Sequence, residues 1–147
     1  MLTRDFLMNA DCKTAFGAIE ESLLWSAEQR AASLAATLAC RPDNGSVWIF
    51  GYGSLMWNPA LEYSESCTGT LPGWHRAFCL RLTAGRGSAH QPGRMLALKE
   101  GGRTTGVAYR LPDETLEQEL TLLWKREMIT GYYLQPPKTR KKSYYQP

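Results

Sequence analysis

Histidine is scarce in this chain: of 147 residues only His75 and His90 are imidazoles. Cys12, Cys40, Cys67 and Cys79 lie far apart, with no Cys-x-x-Cys pair among them. Together these absences argue against a zinc site and a disulfide framework, and favour free thiols in a reducing cytoplasm. Long apolar runs are missing too. The mildest candidate, Ala31 to Cys40, is half of the roughly 20 residues that span a bilayer, and Asp5, Asn9, Asp11 and Lys13 interrupt any signal-peptide core. A soluble protein with no membrane partner is the expectation. A basic footprint is also lacking. Seventeen basic residues face 14 acidic ones, but Lys138, Arg140, Lys141 and Lys142 fall in the last ten positions, which leaves 13 against 14 elsewhere. Nucleic acid is therefore not an expected partner.

What is present centres on Val47-Trp48-Ile49-Phe50-Gly51-Tyr52-Gly53-Ser54-Leu55-Met56-Trp57. Four β-branched or aromatic residues in succession predict a strand buried on both faces, in the middle of a sheet. Gly51 and Gly53 then allow backbone angles and close approaches that a Cβ forbids, so that amides can converge on a carboxylate or phosphate. An ordinary strand and turn has the same letters. Neither the Lys-Ser/Thr ending of a P-loop nor the third glycine and following helix of a dinucleotide fingerprint is found, so nucleotide binding is not indicated.

Around that stretch the chain reads as one domain, long enough for a hydrophobic core of its own. Residues 1 to about 21 suggest an arm or short helix. From about Ser22, Leu24, Ala27, Ala31, Leu34 and Leu38 fall on one helical stripe. Glu65 to Leu71, the turn Pro72-Gly73 and Trp74 to Leu82 predict one hairpin. Met95 to Lys99, the turn Glu100 to Arg103 and Thr104 to Leu111 predict a second. Between them, Thr83 to Arg94 reads as a long exposed loop carrying Arg86, His90 and Arg94.

A second helix opens near Glu114, with Leu116, Leu120, Leu123 and Trp124 on its apolar stripe, and the stripe arrives at Glu127. A glutamate there loses water and meets the negative end of the helix dipole, and both raise its pKa. A carboxylate poised in that way suits general acid and base work. Lys125 and Arg126 are expected on other faces of the helix. The alternative is a glutamate at a frayed helix end that reaches solvent.

Trp48-Ile49-Phe50-Gly51-Tyr52-Gly53-Ser54-Leu55, then Arg86-Gly87 and Pro92-Gly93, then Arg126-Glu127 and Gly131-Tyr132, occur in an order and at a spacing that resemble the ChaC-type γ-glutamylcyclotransferases. The resemblance runs to about Tyr133. It implies an α+β fold, a small mixed barrel-like sheet with packed helices, and cleavage of glutathione to 5-oxoproline and cysteinylglycine without metal or organic cofactor. By position it makes Ile49, Phe50, Gly51, Tyr52, Gly53, Ser54 and Leu55 the residues that bind the γ-glutamyl group, and Glu127 the catalytic glutamate. Arg76 or Arg86 could add a contact to a glutathione carboxylate.

Residues 1–133 are then the γ-glutamylcyclotransferase-like domain, and 134–147, with their prolines and basic cluster, a disordered tail. Members of the family continue into further strands and a helical region, so the expectation is a C-terminally shortened domain. A non-catalytic or partner-binding remnant of the family is the competing reading.

Overall fold

The computed structural model describes residues 2–9, 19, 21–82 and 90–130. Its elements in chain order are α1 (Arg4–Met8), α2 (Ala27–Ala39), β1 (Trp48–Gly51), the one-turn α3 (Ser54–Trp57), β2 (Glu65–Leu82), β3 (Gly93–Arg110) and α4 (Leu116–Glu127). The three strands form an antiparallel sheet in the order β1-β3-β2. With helices packed beside it, this is the α+β class that the sequence suggests.

The two predicted hairpins are one. β2 and β3 are each 18 residues long and pair along their whole length, Glu65 opposite Arg110 and Leu82 opposite Gly93. The two supposed turns face each other across the ribbon, with Pro72 opposite Arg103 and Trp74 opposite Glu100. Gly73, Gly101 and Gly102 do adopt positive φ, at 82°, 101° and 71°. Those angles serve a bulge as well as a reversal, so the turn signals are real but their consequence is a kink. His75 donates from Nδ1 to the Gly101 carbonyl at 2.8 Å, and Thr104 donates from Oγ1 to the Trp74 carbonyl at 2.8 Å, which ties the kink across both strands. The chain reverses instead between Leu82 and Gly93, within the stretch expected to be a loop. Residues 83–89, Arg86 among them, lie outside the described residues.

β1 is also not where its composition places it. It pairs only with β3 in the described sheet and is half-buried, with Gly51 alone fully enclosed. Its apolar run is explained by two different neighbours. Ile49 packs against the helical core, whereas the Phe50 ring crosses the other face of the sheet over the facing glycines Gly69 and Gly106. A Cβ built on Gly106 would fall 2.8 Å from Phe50 Cζ, closer than real contacts allow. Both faces of the strand are thus occupied without the strand being central.

α2 begins later than its periodicity suggests, because Ser26 caps it. Ser26 Oγ accepts from the Gln29 amide at 3.1 Å and Gln29 Oε1 accepts from the Ser26 amide at 2.8 Å, a reciprocal capping box. α4 carries the core: Leu120, Leu122, Leu123 and Trp124 are buried with Leu7, Leu34, Leu61 and Leu111. Trp124 Nε1 donates to Ser33 Oγ at 3.1 Å, fixing α4 against α2.

One charge sits inside this core. Glu119 has no exposed side-chain surface. Its oxygens accept from both terminal nitrogens of Arg4, at 2.7 and 2.5 Å, and from the Glu62 amide at 2.9 Å. Burial pushes its carboxyl upward, but the Arg4 hydrogen bonds, the Glu62 amide and the Arg4 charge outweigh it and hold the pKa below the usual range. A carboxyl lowered by folding adds stability above its unfolded pKa and loses it as pH falls through the folded one. Replacing Arg4 by Ala leaves a buried carboxylate unpaired and should cost about 3 kcal/mol, the low end for such a loss because Arg4 is 25% exposed. Urea melts at neutral pH and at pH 3 check this: the difference between the two proteins should shrink in acid.

Candidate active site

β1 delivers the chain into Tyr52-Gly53 and at once into α3, so a short helix does follow the glycine turn. The Met56 amide donates to the Gly53 carbonyl at 2.9 Å, and the Asn58 amide to the Ser54 carbonyl at 3.0 Å. Tyr109, opposite Ile49 on β3, donates from its hydroxyl to the Leu55 and Met56 carbonyls at 3.0 and 3.3 Å. From β2, Arg76 Nη1 donates to the Tyr52 carbonyl at 3.2 Å. The turn is thus held from both other strands.

Its two glycines differ in what they require. A Cβ on Gly51 would stand 3.1 Å from Leu55 Cβ and 3.3 Å from the Met56 nitrogen, so the return of α3 over β1 depends on hydrogen there. Gly53 has φ −143°, and a Cβ on it would meet only Leu96 Cδ2, at an ordinary 3.6 Å. No neighbouring atom excludes a side chain at 53, so of the two uses of glycine expected from sequence the contacts favour room for an approaching group.

Of the predicted binding residues, Ile49 and Leu55 direct their side chains to the core and Phe50 to its glycine slot. What these three can offer a ligand is main chain. Tyr52 is half-buried and its phenol is pushed up, first by burial and then by the charges of Glu127 and Cys79. That coupling places the turn and Glu127, 75 positions apart in sequence, in one electrostatic neighbourhood.

Glu127 is the last residue of α4, its side chain 29% exposed. Burial raises its pKa, and the charge and hydrogen bond of Arg126 oppose the rise without cancelling it. Arg126 is therefore not on an unrelated face. Its Nε lies 3.0 Å from Glu127 Oε1, and its own side chain is only 5% exposed. Nη1 donates to the Asn58 and Pro59 carbonyls at 2.5 and 2.9 Å, and Nη2 to Ser54 Oγ at 3.3 Å. Sequence periodicity gave no hint of this buried cation, although Arg126 stands beside Glu127 in the motif. Arg76 is exposed, and His90 and Arg94 are exposed as well. Among the described residues no group of three or more His, Cys, Asp and Glu side chains could hold a metal ion.

The described residues thus form an α+β domain in which β1, its glycine turn and the end of α4 are tied together through Arg126. Residues 47–143 match the family of ChaC-like proteins, and the chain belongs to that family. It is 93% identical over 134 residues to the glutathione-specific gamma-glutamylcyclotransferase of Escherichia coli (strain K12), covering 91% of this chain and 58% of that protein. With the glutathione-specific gamma-glutamylcyclotransferase 1 of Homo sapiens it shares 43% identity over 93 residues, 62% of this chain and 42% of that one. Among solved structures, a yeast gamma glutamyl cyclotransferase specific to glutathione superimposes with a TM-score of 0.52 at 25% identity, covering 58% of this chain and 49% of that chain. The chain thus spans about half the length of the relatives it matches.

The contrast between the glycines is testable by substitution. Gly51→Ala should lower stability by about 1–3 kcal/mol, the usual range for overpacking, whereas Gly53→Ala should melt within about 1 kcal/mol of the parent. Equal losses at the two positions would contradict the geometry.

Proposed function

We propose that this chain cleaves glutathione to 5-oxoproline and cysteinylglycine, with Glu127 as the acid and base and residues 49–55 as the cradle of the γ-glutamyl group. The observation that carries the reading is that Arg126 ties Glu127 to the turn, its Nε 3.0 Å from Glu127 Oε1 and its Nη2 3.3 Å from Ser54 Oγ. The names of the relatives support the choice of substrate.

The chemistry needs little more than these parts. The α-amino group of the γ-glutamyl unit gives a proton to the Glu127 carboxylate, and its nitrogen attacks the γ-carbonyl carbon to close a five-membered ring. The bond from that carbon to the cysteinyl nitrogen breaks, and Glu127 returns the proton to the departing amine. No water is consumed and no redox step occurs. Because nucleophile and electrophile belong to one molecule, holding the chain folded supplies much of the acceleration. Main-chain amides of the turn hold the substrate carboxylate and face the oxygen on which charge develops.

A carboxyl whose pKa is raised toward the working pH suits both halves of this cycle, since it must accept a proton and then release it. The same reading treats residues 1–133 as one domain working in the cytoplasm, with glutathione and not nucleic acid as its partner. Arg76, already committed to the Tyr52 carbonyl, orders the turn in this scheme.

Incubation of the purified chain with glutathione should release 5-oxoproline. Glu127→Gln keeps the shape and removes the proton carrier, so turnover should fall at least ~100-fold with the fold retained. For the parent, the rate should rise with pH through a pKa above the carboxylate norm, because the base must be ionised to start the cycle. Near-normal turnover in Glu127→Gln, or a rate unchanged down to the ordinary carboxylate range, contradicts the assignment.

A further inference from the structure

We propose that Arg126 is the positioning residue for Glu127: its guanidinium locks the carboxylate, the start of α3 and the Asn58-Pro59 bend to one rigid plane, and so sets the base against the glycine turn. The inference rests on the role given to Glu127 above. It goes beyond that role by making the neighbouring cation part of the reaction's geometry and not only of the fold.

Three features carry it. The first is geometric. A guanidinium presents its N–H groups in a fixed planar fork, and here every nitrogen is engaged: Nε with Glu127, Nη1 with the Asn58 and Pro59 carbonyls, and Nη2 with Ser54 Oγ. Moving any partner turns the plane and with it the carboxylate. The second is burial. Arg126 is 4% exposed, so its contacts are little weakened by solvent and its charge needs the partial charges of the carbonyls and the full charge of Glu127. The third is a strained backbone next to the contacts. Ala60, directly after the two carbonyls, has φ +52°, a left-handed conformation unusual for a residue with a Cβ. Two charge-assisted hydrogen bonds to its immediate predecessors help hold the bend in that shape.

The charged and titratable groups around Glu127 on the packed elements are few. On its own helix Lys125 is directed away, donating to the Leu7 and Asn9 carbonyls. The charge of Glu127 reaches Tyr52 of the turn, where Cys79 of β2 also acts on the phenol and Arg76 of β2 on the carbonyl. Arg126 is thus the cation paired with Glu127 among the described residues. Burial drives the carboxyl up and Arg126 restrains it. Without the guanidinium the base should remain protonated to higher pH.

Arg126→Lys and Arg126→Gln test this through readouts that a merely structural role would not move. An ammonium is a single point and cannot reach the carbonyls, Ser54 and Glu127 together. In Arg126→Lys, kcat for glutathione should fall ~10-fold or more, with a smaller change in KM. The acidic limb of the kcat profile should move to higher pH, further in Arg126→Gln than in Arg126→Lys. The Glu127 carboxyl resonance, followed by carbon-13 NMR and assigned by its loss in Glu127→Gln, should titrate at correspondingly higher pH. If Arg126→Gln fails to fold, Arg126→Lys and Ser54→Ala, which removes one 3.3 Å contact, decide the matter. Folded variants with unshifted titration overturn the proposal. If the parent releases no 5-oxoproline, the proposed activity falls, whereas the NMR titration still tells whether Arg126 governs Glu127.

Discussion

A single buried guanidinium links the parts on which the site depends. Arg126 stands one residue before the end of α4, yet it touches the first residue of α3 and the bend that follows α3. A buried cation is tolerated only when partial and full negative charges surround it, so these segments are drawn to it and not merely placed near it. The strand β1, the glycine turn and α3 are in turn fixed from β3 by Tyr109 and from β2 by Arg76. The cation at the end of the helix and the hydroxyl on the sheet thus hold the same short segment from two sides.

α4 carries two glutamates paired with arginines, and their carboxyls move in opposite directions. Glu119, fully enclosed, is held low by a two-pronged Arg4 and a backbone amide. Glu127 is held high by burial, and its arginine, shared with two carbonyls and a hydroxyl, contributes one contact that does not cancel the rise. At Glu119 the donors outweigh burial, and at Glu127 the single contact with Arg126 does not. The first ties α1 to α4, and the second, eight positions on, is the group to which the proposed reaction gives proton transfer.

Much of this was legible in the residues. Helix α4 and its stripe follow from Leu116, Leu120, Leu123 and Trp124, and the glycine turn follows from Gly51-Tyr52-Gly53. The sheet was harder to read because Pro72-Gly73 and Glu100 to Arg103 are good turn letters that also suit paired bulges. Nothing local says that they will lie opposite each other. The half-buried position of β1 was obscured because Phe50 finds its cover in Gly69 and Gly106, glycines of strands far along the chain. Arg126 was hidden for a related reason. A charge on a helix is normally solvated, and its burial depends on carbonyls nearly 70 positions away.

The central claim is that the turn and Glu127 form one site for a γ-glutamyl compound. Adding glutathione to the Glu127→Gln variant, which should bind without turning over, and following the backbone amides by NMR tests it most directly. Residues 52–55 and position 127 should shift together along one binding curve. Shifts at the turn without position 127, or at neither, would contradict the account.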